Sequence, residues 1–114
     1  MNAYNHTKRI VIAKRVERAH SILTRMKGLL GRTEMEKDFA LWLSPAKSIH
    51  TFFMKFPIDV IFLSSTNQVV KILKSVKPFR LPSFVIASRS ILELSADTIE
   101  ETKTEVGDQI IFRL

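Results

Sequence analysis

Short runs of β-branched and aromatic residues, each bounded by turn formers, recur along most of this chain and restrict it to a mainly β fold. FALWLS (39–44), IHTFFMKF (49–56), DVIFLS (59–64), QVVKILKSV (68–76), FVIAS (84–88), SILELS (90–95) and DQIIFRL (108–114) read as strands, and RIVIA (9–13) as an earlier one. SSTNQ (64–68) is built from turn residues, so the runs on either side of it predict a hairpin. Pro57 bends or starts a strand, and Pro78 and Pro82 bracket the loop KPFRLP. One segment changes period. Ser21 can cap ILTRMKGLL, whose Ile22, Met26, Leu29 and Leu30 share a helical face, and Gly31 is a natural stop. ADTIEETKTEVG fits either a helical turn or a polar loop. The pattern predicts a small β-barrel or sandwich of about seven strands with one short N-terminal helix, not an alternating parallel α/β sheet.

At 114 residues and 46% hydrophobic, the chain suits one compact core over residues 1–114, with 1–8 expected as a flexible tail. There are no cysteines, which excludes disulfides, thiol catalysis and thiolate metal sites. MNAYNHTK has no apolar core region of a secretory signal, and the expected location is the cytoplasm. The apolar run from Ser48 to Ser65 is interrupted by His50, Lys55, Pro57 and Asp59, whereas a spanning helix needs about 20 largely uncharged residues, so no membrane partner is expected.

The net charge of +7 is unevenly placed. Residues 1–32 hold eight basic side chains against Glu17 alone, and the other residues sum to zero. Within that remainder, Glu93, Asp97, Glu100, Glu101, Glu105 and Asp108 face only Lys103. Either the basic segment presents a surface to an acidic partner such as nucleic acid, or a basic end and an acidic end meet in the fold.

Asp59 is the most awkward residue. Strand alternation puts it with Ile61 and Leu63, opposite Val60 and Phe62, so both faces of its run are apolar. A carboxylate there must be ion-paired, cap backbone N–H groups, or have its pKa raised, and a satisfied structural acid is the more common outcome. Glu93 sits between Leu92 and Leu94 and alternates away from them. It is expected either to face solvent on a half-buried strand or to join Asp59 as an acid and base pair. His50 is a candidate ligand or proton shuttle, and Arg80 and Arg32 are candidate anion binders or partners for Asp59. No second histidine lies at metal-ligand spacing from His50, so neither a metal nor a cofactor is expected. With three glycines and no GxSxG elbow, phosphate loop or dinucleotide fingerprint, common hydrolase, NTPase and dehydrogenase readings fall away. The basic segment has Tyr4 as its only aromatic, a weak basis for single-strand binding.

The series MKGLLGR, ALWLSPAKSIHTFFMKFPIDVIFL, PFR, LEL and VGD before a terminal strand resembles domain-of-unknown-function family 192, from about residue 15 to the end. The resemblance implies a small, mostly β domain of barrel or sandwich type and no assigned activity. It places signature polar residues at Arg32, His50, Thr51, Asp59 and Glu93, with Gly28, Pro78, Gly107 and Asp108 shaping turns. Asp97 stands where the family usually has glycine, and Leu30 where methionine is common. The resemblance implies an export signal in many relatives, and MNAYNHTK is not expected to act as one.

The leading expectation is a non-enzymatic domain binding a small molecule or protein through a pocket edged by His50, Asp59 and Arg80, with Arg32 and Glu93 as further candidates. The alternatives are a small hydrolase or lyase using Asp59 and Glu93 as acid and base with His50 assisting, and nucleic-acid association through residues 8–32.

Overall fold

The structure, a computed structural model, describes residues 1–19, 35–49, 56–77 and 83–114. Within them the chain is mainly β. The strands are β1 (Asn2–Asn5), β2 (Ile10–Ala13), β3 (Arg15–Ala19), β4 (Phe39–Leu43), β5 (Ser48–Ile49), β6 (Ile58–Leu63), β7 (Val69–Val76), β8 (Ser83–Phe84), β9 (Ser90–Ser95) and β10 (Ile110–Arg113). A helical turn, α1 (Thr98–Glu101), follows β9. The helix expected over 21–31 lies outside the described residues, as does most of the strand expected over 49–56.

A five-stranded sheet runs in the order β3-β4-β9-β6-β7, a three-stranded one in the order β10-β1-β2, and β5 pairs with β8. None of these closes into a barrel. β3 and β4 are parallel; the other pairs are antiparallel. β6 and β9 lie inside the large sheet and are buried at every position, the environment that a continuous apolar run demands. The SSTNQ hairpin forms as expected. Ser64 N donates to Gln68 O at 2.9 Å, the Ser64 hydroxyl accepts from Gln68 N at 3.1 Å, and Asn67 takes the left-handed backbone at φ 62.

Two apolar clusters occupy opposite faces of the five-stranded sheet. One joins Ala40, Ile61, Leu63, Leu92 and Leu94 to Ala3, Ile12, Ala13 and Ile110 of the three-stranded sheet. Alanines at three of these contacts let the sheets approach closely. The other comprises Phe39, Leu41, Leu43, Ile58, Val60, Phe62 and Ile91, with Ala19, Met35 and Phe56 packed among them.

Two expectations need correction. Residues 2–5 are not a tail: β1 is the middle strand of its sheet, with Tyr4 opposite both Val11 and Ile111. NAYN lacks an apolar run because it buries only alternate residues, Ala3 and Asn5. FVIAS is a strand only at its start. Its remainder turns, with Ser88 N donating to Val85 O at 3.0 Å.

β1 also settles how part of the charge is used. Buried Asn5 donates through Nδ2 to Asp108 Oδ2 at 2.9 Å and to Thr104 Oγ1 at 3.2 Å, and its Oδ1 accepts from Lys8 N. Lys8 Nζ lies 2.9 Å from Asp108 Oδ2 and 3.0 Å from Glu105 Oε1. The basic and acidic ends therefore meet in the fold at Lys8. Gly107, at φ 98, makes the turn that delivers Asp108. Lys14 with Asp38 and Arg15 with Glu36 are exposed pairs, each contributing at most about 1 kcal/mol.

Burial pushes the Asp108 carboxyl up, but hydrogen bonds from Asn5 and Lys8 outweigh it and hold the group below its ordinary pKa of 3.8. A depressed folded pKa stabilises the protein above pH 3.8 and loses that contribution as pH falls through the folded value. Urea unfolding at pH 6 and pH 3 should show this loss. Asp108→Asn should cost about 2 kcal/mol at pH 6 and flatten the acid dependence, since Asn5, Lys8 and the Glu105 amide lose a charged acceptor.

Candidate functional site

Asp59 is fully buried on β6 and faces the cluster shared with the three-stranded sheet, as alternation predicts. Its surroundings explain it. Ile58 pairs with Val76 and Val60 with Leu73, so Lys74 and Ser75 oppose Asp59 alone and form a β-bulge. Ser75 adopts φ 51, and its N–H donates to Asp59 Oδ1 at 2.9 Å. The other oxygen, Oδ2, accepts from Ile99 N at 2.8 Å, in the first turn of α1. Asp97, at the N-cap of α1, has φ 74 and makes no side-chain cap bond, so Asp59 supplies the cap from a distant strand. The left-handed backbone at Asp97 is also the physical reason glycine suits that position.

Glu93 is fully buried too, but on the opposite face. It pairs in register with Leu41 of β4 and Val60 of β6, whose side chains belong to the second cluster, whereas Asp59 pairs with Leu94. The solvent-facing position expected for Glu93 is thus overturned. Alternation did turn it away from Leu92 and Leu94, but β9 is an inner strand with both faces covered. The sheet also separates the two acids, so Asp59 and Glu93 cannot flank one substrate as a general acid and base.

Arg32, His50, Thr51 and Arg80 lie outside the described residues. The residues that flank them are informative. Ala19 and Met35, on either side of 20–34, belong to the cluster on the Glu93 face, as does Phe56, which follows 50–55. Val76 packs against it just before 78–82, and Val85 just after β8. Ser48 pairs with Phe84 and Ile49 with Ser83, so the described residues just before 50 and just after 82 share one ribbon. Phe84 of that ribbon is 65% exposed and Ile86, just after it, 77%. The strand expected over 84–88 concealed them: a β-branched run gives no sign that its side chains face water.

The described part of the basic segment is largely engaged. Besides the ion pairs of Lys8, Lys14 and Arg15, the Arg18 guanidinium sits 5.0 Å from the centroid of Trp42, which stacks on Phe112 at 3.9 Å. Among the described residues there is no group of three His, Asp or Glu side chains able to hold a metal ion, and no helix long and apolar enough to cross a membrane.

An open, mainly β domain with one acid buried on each face of its larger sheet is the class that this geometry defines. The chain belongs to the DUF192 family of uncharacterized ACR proteins, whose pattern it matches over residues 3–112. It is 35% identical to a UPF0127 protein of Thermococcus sibiricus over 112 residues, covering 93% of this chain and 71% of the relative. A UPF0127 protein of Thermococcus kodakarensis is 33% identical over 111 residues, covering 93% and 69%. A crystal structure of a protein of unknown function from Novosphingobium aromaticivorans has the same fold, with a TM-score of 0.80 at 20% identity over 97% of this chain and 82% of that one. The family and these relatives are uncharacterised.

Asp59→Asn keeps the side-chain shape but leaves one of the two backbone N–H groups facing an amide that cannot accept both. The variant should lose about 3 kcal/mol in urea unfolding. A loss under about 1 kcal/mol would contradict the capping role.

Proposed function

We propose that this domain binds a small anionic ligand, without catalysing its conversion, on the face of the five-stranded sheet that carries Glu93. The observation that carries this reading is the convergence of chain ends. All three segments holding Arg32, His50 and Arg80 leave from or return to the cluster around Glu93, or to the ribbon beside it. The two arginines and the histidine that those segments carry outnumber their one neighbouring candidate acid, which favours an anion as the ligand. Exposed Phe84 and Ile86 offer an apolar rim.

Asp59, expected at the edge of the pocket, serves this proposal only by fixing β6. The separation of the two acids favours binding over the hydrolase or lyase alternative. We extend the proposal to a sandwich-like packing of the two sheets, supported by their shared cluster, and to a cytoplasmic location.

A thermal-shift screen of small carboxylates, phosphates and sulfates should find a compound that raises Tm by several degrees. Arg80→Ala, His50→Ala and Glu93→Gln should each reduce that shift. A screen with no stabiliser, or a shift that persists in all three variants, would reject the proposal.

A further inference from the structure

The outer surface of the three-stranded sheet carries an arrangement that the candidate site does not use. Ala3 and Asn5 of β1 are fully buried, so Tyr4 between them points away from the core. In register, Tyr4 lies between Val11 of β2 and Ile111 of β10, and Ile111 is 36% exposed. The three form an apolar floor across three strands. Above it the Arg113 guanidinium sits 4.0 Å from the Tyr4 ring centroid, with Nε donating to Asn2 Oδ1 at 3.2 Å. His6 approaches the same ring edge-on, centroid to centroid 6.4 Å at 61°. Arg9 is exposed in the turn joining β1 to β2. Among the described residues no carboxylate forms an ion pair with Arg9 or Arg113, while Glu105 and Asp108 are held by Lys8.

We propose that this face is a stacking platform for single-stranded nucleic acid, centred on the Tyr4–Arg113 pair. A guanidinium laid on an aromatic ring leaves its outer plane open, and a nucleobase stacks on such a plane as it does on an aromatic side chain. Val11 and Ile111 extend the platform, and Arg9 and His6 lie where a backbone phosphate leaving the stack would pass. Three strands about 4.8 Å apart and four residues long make a surface for two or three nucleotides. Charge decides against a second copy of this chain, because an isologous contact would set Arg113 and Arg9 against cations of like sign. An acidic protein would satisfy the charges but has no use for a flat ring and guanidinium stack. The reading is independent of the Glu93 face, which lies beyond the other side of the five-stranded sheet.

The test is fluorescence anisotropy of the full chain with labelled dT12 and U12, at 50 and 200 mM NaCl. A duplex of the same length and a poly-glutamate peptide serve as controls. The expected result is salt-dependent binding of single strands, tighter than of duplex or peptide. Tyr4→Ala should weaken it about tenfold, Tyr4→Phe should restore it, and Arg113→Ala should weaken it while lowering the salt dependence. Unchanged Tm in Arg113→Ala keeps the outcome independent of folding if Tyr4→Ala is unstable. Absence of binding at 50 mM NaCl would overturn the proposal, as would equal affinity for duplex or poly-glutamate, or variants that bind like wild type.

Discussion

The carboxylate of Asp59 is the interaction on which the arrangement of this domain depends. The bulge in β7 turns the Ser75 N–H inward, and the helical turn after β9 begins at a residue that offers no side-chain cap. Without a partner, the Ile99 N–H would be a buried unpaired donor, at a cost of about 1–3 kcal/mol, and the part-buried Ser75 N–H would lose its acceptor. One acid on a neighbouring inner strand satisfies both, at 2.9 and 2.8 Å, and thereby ties β6, β7 and α1 together. Lys74 with Glu100 and Lys37 with Glu101 reinforce the junction from outside, but they are exposed and contribute little by themselves. The junction therefore depends on the buried acid, and the ion pairs around it are secondary.

That role was half legible. Alternation along DVIFLS placed Asp59 on the correct face, and capping of backbone N–H groups was among the outcomes burial allowed. The donors themselves lie 16 and 40 residues away, at a bulge and a helical turn that leave no periodic signal. The same contrast holds for the strands. β6 and β9 were readable because inner strands need uninterrupted apolar runs. β1 and β3 were not, because NAYN and RVERA bury only alternate or scattered residues, one of them the polar Asn5. Glu93 misled in a different way. Its orientation followed from its neighbours, but whether the face it meets is wet or dry is a property of the whole sheet.

Placing one acid on each face of the same sheet changes what the polar residues can mean together. As a pair, Asp59 and Glu93 suggested acid–base chemistry; as separate groups they have separate explanations. Both oxygens of Asp59 are occupied by backbone donors within the fold. Glu93 instead lies on the face where the flanks of three chain segments gather, and those segments carry the arginines and histidine singled out in the sequence. The proposed anion binding rests on where those flanks lie.

The distribution of charge completes the logic. Of the six acids between Glu93 and Asp108, Glu100, Glu101, Glu105 and Asp108 hold lysines of β7, the loop before β4 and the first turn, while Glu93 is buried in the sheet. The acidic segment is thus largely absorbed in closing the structure. On the outer side of the three-stranded sheet, Arg9 and Arg113 form no ion pair with a carboxylate among the described residues and remain exposed. The two proposed surfaces lie on opposite sides of the five-stranded sheet, one on the Glu93 face and one beyond the cluster on the other. Occupants of the two would not collide, and any coupling between them would have to pass through β4, β9 and β6, whose packing leaves little room to move.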